Sequence, residues 1–216
     1  MSADLDRAAI KAIDTLIRCC VKTSPISPLP MLEQLKNVIL VSFSDLSEPA
    51  GLPKRDILPL FGKNRDAVTS VLMEDDHPIY MVAYDSLLPF SMVQRALARE
   101  MGHIVLQHTG SSLDNTAEAM CFAHHLLCPR PLIHAIQATN LRLTADLLAN
   151  LTGVFDQSVV SMRRTPGTSV PAGMNRFVRN QFMPFVLNFF EYYQSVLPFD
   201  GSALADLGTY MDGYEE

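Results

Sequence analysis

The placement of strand-like sequence constrains this chain more than any other feature. Every stretch that reads as a strand ends by Tyr84, and from about Ser91 onward the pattern is helical. Val38-Ile39-Leu40-Val41-Ser42-Phe43 is apolar and β-branched. Ala67–Met73 and Ile79–Tyr84 read as two further strands, and the polar run Glu74-Asp75-Asp76-His77-Pro78 between them fits a hairpin loop. Three short strands make a small antiparallel or mixed sheet that the helical remainder must cover, which predicts an α+β fold.

The helices announce themselves by period and punctuation. Leu5, Ala8, Ala9, Ala12, Ile13, Leu16, Ile17 and Cys20 recur at helical spacing, with Asp4 and Asp6 near the start and Arg18 and Lys22 near the end, as the helix dipole favours. The run Ser24-Pro25-Ile26-Ser27-Pro28-Leu29-Pro30 breaks that helix, and Pro30 is placed to start a short second one through Leu35. A short helix is expected around Lys54–Phe61. Ser91 and Gln94 suggest a capping box for a helix reaching about His108. Another helix covers roughly Thr116–Leu127 and stops at Cys128-Pro129-Arg130-Pro131, and further helices run to about Arg164. Thr165–Gly173 reads as a linker, and 174–196 as an aromatic-rich helix kinked at Pro184, followed by an acidic tail. This organisation divides the chain into 1–128, an α+β unit; 129–165, a helical unit; and 166–216, a linker, aromatic helix and tail packed on the main unit.

Composition narrows the function classes. Hydrophobic residues make up 48% of the chain and charged residues 19%, enough for a sizeable core. The net charge of −6 argues against a broad surface for nucleic acid or anionic membrane. The N-terminus lacks the apolar segment of a signal peptide, and Phe182–Phe190 is too short to span a bilayer. The expectation is a cytoplasmic protein with no membrane partner. Cys19, Cys20, Cys121 and Cys128 form no Cys-x-x-Cys pair and read as reduced packing residues.

Three elements carry chemistry: Ala98-Arg99-Glu100-Met101-Gly102-His103 on one helix, Glu118-Ala119 on the next, and Phe122-Ala123-His124-His125-Leu126-Leu127-Cys128-Pro129 after it. A zinc-peptidase helix carries His-Glu-x-x-His, because positions i and i+4 share a face and the Glu between them can act on metal-bound water. A carboxylate from a later helix completes the ligands and leaves one position open. Here Glu100 and His103 keep the second half of that pattern, and Arg99 stands in the first.

The segment Leu97-Ala98-Arg99-Glu100-Met101-Gly102-His103 resembles the Leu-Ala-His-Glu-Leu-Gly-His run of ImmA/IrrE metallopeptidases. Glu118-Ala119, Phe122-Ala123 and Leu126-Leu127-Cys128-Pro129 resemble that family's Glu-Ala-Asn, Phe-Ala and Leu-Leu-Met-Pro string, in the same order. The resemblance covers roughly residues 5–165. It implies a small sheet beside a mostly helical zincin-like domain, followed by helix-turn-helix-like helices. It also implies His103 and Glu118 as metal ligands and Glu100 as general base. Met120 and Cys128 depart from the family pattern without touching the chemistry, whereas Arg99 stands where a ligand is required. A guanidinium carries only donors and stays charged, so it cannot coordinate zinc. His108 is five residues past His103, at a poor angle on the same helix, and His124 and His125 are nearly two turns past Glu118. No cofactor is therefore expected, with zinc the cofactor if one of these histidines restores the site. Arg99 is expected to pair with Glu118, and with Glu100, in the ion's place.

Each of these residues also has an ordinary structural role open to it. His103 beside Gly102 can be a core histidine bonded to a carbonyl, and Glu118 can simply favour the start of its helix. Ala149, Gly153, Val159 and Met162 are spaced as in a helix-turn-helix, which would aim Gln157, Ser158 and Ser161 at DNA. Arg163 and Arg164 are the nearby cations, and a helical packing unit explains the same spacing. The expected function is a degenerate peptidase-fold regulator of phage, mobile-element or stress-response type, which binds a protein partner such as a transcriptional regulator. An active zinc peptidase that cleaves a regulatory protein, and a DNA-binding regulator acting through residues 145–164, are the alternatives.

Overall fold

The computed structural model describes residues 3–51, 56, 66–75, 77–110, 112–139, 144–153 and 169–196. In chain order the elements are α1 (Leu5–Arg18), α2 (Pro28–Glu33), β1 (Val38–Ser42), α3 (Phe43–Ala50), β2 (Ala67–Glu74), β3 (His77–Tyr84), α4 (Phe90–Val105), α5 (Leu113–Leu127), α6 (Arg130–Gln137), α7 (Ala145–Thr152) and α8 (Ala172–Val196). The class is mixed α+β, with a three-stranded sheet and a helical remainder.

The sheet is mixed, in the order β1-β3-β2. β3 pairs antiparallel with β2 through a turn in which Asp75 takes a left-handed φ of 47°, and parallel with β1. Val38 and Leu40 on β1 lie beside Tyr80 and Val82 on β3, and all four join the main core under α4. Val41, Val68 and Ala83 alternate to the other face, where they form a second, smaller cluster with Phe43 and Leu46. β2 is left at an edge of the sheet, next to α4.

The core follows from the helical periods. Ala8, Ala9, Ala12, Ile13 and Leu16 form a fully buried stripe on α1, which packs against α5 and α8. Leu97 and Met101 on α4, Phe122, Leu126 and Leu127 on α5, Leu148 on α7 and Phe182 on α8 complete one contiguous cluster. Truncating a fully buried aromatic such as Phe122 costs about 3–5 kcal/mol, so each of these positions matters individually. α4 and α5 approach closely at Gly102. A Cβ on Gly102 would lie 3.0 Å from the Ala119 carbonyl oxygen and 3.1 Å from its Cα, so only glycine allows this approach. The residues next in sequence, His103 and Glu118, are brought together by it.

Several boundaries differ from the sequence expectation, each for a local reason. β1 stops at Ser42 because Ser42 and Asp45 cap one another: Asp45 N donates to Ser42 Oγ (3.0 Å) and Ser42 N to Asp45 Oδ2 (3.2 Å). That reciprocal pair starts α3, a helix the periodicity did not reveal. α2 begins at Pro28 rather than Pro30, since Pro28 already supplies the fixed φ of a first helical position. The Ser91–Gln94 capping box does not form. The carbonyl of Pro89 accepts from Met92 N and Val93 N, so α4 starts at Phe90 and Ser91 lies inside it. α5 starts earlier than expected because the Ser112 side chain caps Asn115 N. α8 begins at Ala172, two residues inside the expected linker. α4 ends at Val105, three residues early, and this has consequences at the site below.

α7 and the left-handed Gly153 (φ 66°) occupy the first half of the helix-turn-helix spacing. Its second half, the helix expected around Lys54–Phe61 (Asp56 apart) and the acidic tail lie outside the described residues. No helix of the described residues is long and apolar enough to cross a membrane.

Candidate functional site

A cleft of about 500 Å³ opens between β2, α4 and the turn after α4, with Thr69, Val71, Tyr80, Arg99, Glu100, His103 and His108 in its wall. The sequence motif lies along one side of it. Arg99, Glu100 and His103 sit on α4, and Glu118 on α5 stands behind His108 rather than in the wall itself.

Arg99 is where the structure corrects the sequence most sharply. Its guanidinium does not reach Glu118. Nε donates to Glu100 Oε1 at 3.0 Å, and Nη2 donates to the same oxygen at 2.9 Å and to the Ala67 carbonyl at 3.1 Å. The expected pairing with Glu100 forms; the expected pairing with Glu118 does not, because Arg99 points along α4 toward β2 and Glu118 is engaged elsewhere. The second oxygen of Glu100, Oε2, accepts from Thr69 Oγ1 at 2.8 Å. Both carboxylate oxygens are thus occupied, and the Glu100 side chain is only 7% exposed against 31% for Arg99. Burying a carboxylate without partners would be costly; here two charge-assisted donors and a hydroxyl offset the desolvation.

Glu118 has its own partners. Oε1 accepts from the backbone N–H of Asp4, at the positive end of α1, at 2.9 Å. Oε2 lies 3.2 Å from His108 Nε2. His108 Nδ1 in turn lies 2.9 Å from His103 Nδ1, with the two rings edge to face at 73°. The helix end explains how His108 gets there. Gln107 takes a left-handed φ of 57°, Gln107 N bonds Ile104 O, and His108 N bonds His103 O. This is a Schellman end, which folds the chain back over the last helical turn. The poor angle expected of His108 assumed that it sits on the same helix as His103. Instead the turn lays its ring across His103. Arg7 ties the same corner from α1 by donating to the Leu106 carbonyl at 2.8 Å.

As placed, the polar side chains of the site are bonded to one another. His108 divides its two ring nitrogens between His103 and Glu118. Glu100 lines the cleft with Arg99 on one oxygen and Thr69 on the other. Among the described residues no group of three His, Cys, Asp or Glu converges as a metal site requires. The other candidate histidines are elsewhere. His125 is buried in α5, where burial first, and then Arg130 and His124, push its pKa down to about 4. His124 lines a separate small cavity with Arg95, Arg99 and Asp66, and burial and Arg95 lower its pKa. Cys121 and Cys128 are buried and form no disulfide. Cys121 donates to the Leu5 carbonyl, and burial foremost raises its pKa to about 11, as suits an inert packing residue.

Sequence reasoning did not find Thr69, the Asp4 amide or Arg7. A threonine in a strand and an amide near the N-terminus carry no local signal of a site; only the tertiary fold brings them there. Comparison with family models, curated proteins and solved structures returns no match to this chain.

Proposed function

We propose that this chain is a metal-free, degenerate member of the ImmA/IrrE type, and that it acts as a regulator by binding a protein partner in the former catalytic cleft. One observation carries the reading. The residue in the general-base position, Glu100, is held as an ion-pair partner: Oε1 takes two donors from Arg99, the residue that stands where the first ligand would be, and Oε2 accepts from Thr69.

The cleft retains what peptide recognition needs. It borders β2, and among the described residues no strand pairs with the outer edge of β2. The Asp66 carbonyl accepts from Asp85 N on the β3 side, and the Ala67 carbonyl accepts from Arg99 on the other. By alternation, the backbone groups of Thr69, Val71 and Met73 face outward. Val71 and Met73 are also about half or more exposed. An extended segment of a partner can add to such an edge, with main-chain bonds supplying affinity and the cleft supplying selectivity.

Two measurements test this reading. Elemental analysis of protein purified without chelator or added metal is expected to find zinc far below one per chain; one tightly held zinc per chain would refute it. Selection from a displayed random-peptide library should enrich sequences that bind the parent and not Val71→Pro, a change that an edge position tolerates but that removes an outward N–H. Equal binding to both would exclude the β2 edge. The zinc-peptidase alternative requires Arg99 to release Glu100. The DNA-binding alternative rests on Gln157, Ser158 and Ser161, outside the described residues, and has the net charge of −6 against it.

A further inference from the structure

His108 touches both residues to which the resemblance gives a metal, His103 and Glu118, and it uses a different nitrogen for each. The polarity of the chain is set from its acidic end. A carboxylate only accepts, so His108 Nε2 carries the proton shared with Glu118. In a neutral ring that leaves His108 Nδ1 as an acceptor, and His103 Nδ1 must then be the donor between the two rings. The His108 side chain is 6% exposed and that of Glu118 10%, so the Glu118 end of the bridge is largely screened from water, while the His103 end borders the cleft.

We infer that His108 is a built-in substitute for the metal ion: it joins α4 to α5 through His103 and Glu118 by a chain of two hydrogen bonds, linking the same two residues that an ion would link. The inference rests on the metal-free reading above and deepens it. Arg99 removes one ligand, and His108 independently engages Nδ1 of His103 and one oxygen of Glu118. The substitute is set by the backbone, because the left-handed Gln107 and the His108 N–H bond to the His103 carbonyl fix where the ring can go. An ion bound through these same atoms would have to displace the His108 ring from both hydrogen bonds.

It follows that Arg99→His, which supplies the missing ligand, is not enough to restore metal binding. Zinc calorimetry on the parent, Arg99→His, His108→Ser and the double variant tests this, with circular dichroism to confirm folding. The double variant is expected to bind one zinc per chain about 100-fold more tightly than Arg99→His, the scale of two hydrogen bonds that no longer have to be broken. Equal affinity in Arg99→His and the double variant would overturn the role of His108 while leaving the Arg99–Glu100 reading intact. Stoichiometric zinc on the parent would overturn both. A folded double variant that binds no zinc would show that these residues hold no latent site. If His108→Ser does not fold, His108→Asn takes its place, and the parent alone decides through its imidazole spectra. Long-range proton–nitrogen correlations near neutral pH should show His103 protonated on Nδ1 and His108 on Nε2. His103 protonated on Nε2 would overturn the inference without any variant.

Discussion

The hydroxyl of Thr69 on β2 donates to Glu100 on α4 across 2.8 Å, and Arg99 anchors the other oxygen of the same carboxylate while holding the carbonyl of Ala67. The sheet and the motif helix are therefore joined through one buried acid. Removing the cation should cost stability. Breaking a fully buried pair costs about 3–5 kcal/mol, but Arg99 is about a third exposed, which lowers the expected loss for Arg99→Met to about 2 kcal/mol. Adding Glu100→Gln should recover about half of it. Urea unfolding of the two single variants and the double gives the coupling; strict additivity would mean the two side chains do not act as a pair.

Gly102 should not tolerate alanine. Helix propensity favours Gly102→Ala by about 1 kcal/mol, yet the new Cβ would press on backbone atoms of Ala119 at 3.0 and 3.1 Å, which cannot swing away. Overpacking of this kind costs about 1–3 kcal/mol, so a net loss of about 1 kcal/mol is expected. Gly173, where a Cβ meets nothing within 4 Å, is the control, and its alanine variant should lose no stability. A stabilised Gly102→Ala in denaturant titration would mean that α4 and α5 are further apart than described.

Gln107 is the converse case. Its φ of 57° is a conformation that costs a side-chain-bearing residue about 1 kcal/mol and glycine nothing. Gln107→Gly should therefore raise the melting temperature by a few degrees, and it should leave the His103–His108 contact unchanged. A drop in melting temperature would count against the Schellman end that places His108.

Acid should weaken the fold through His125. Its folded pKa of about 4 lies below the ordinary value of 6.5, chiefly because of burial, so the unfolded chain binds the proton more readily. Stability should then be full above about pH 6.5, fall as the pH drops through the window down to about 4, and level off below it. The loss at pH 5 is about 2 kcal/mol. His125→Gln should flatten the difference in unfolding free energy between pH 7.5 and pH 5 by that amount. An unchanged pH slope would assign the acid sensitivity to other groups.

The sequence by itself determined the class of the fold and which polar residues to look for at the cleft. Strands confined to residues before 85, the apolar stripe of α1 and the breaks at Pro25 and Pro129 follow from period and backbone freedom, which act within a few residues. Arg99, Glu100, His103 and Glu118 could be listed because donor, acceptor and charge belong to residue type. What those residues do to one another was decided only in three dimensions. Whether Arg99 meets Glu118 or Glu100 depends on where β2 lies, and Ala67 and Thr69 are about thirty residues away along the chain. Whether His108 points away from His103 or across it depends on one backbone angle at Gln107, a residue type that gives no sign of a left-handed turn. Asp4 reaches Glu118 over 114 positions of sequence because α1 and α5 bury their small residues against each other. Hydrogen bonds act over about 3 Å, and a distance of that size between remote residues is set by the packing of the whole core rather than by any local pattern.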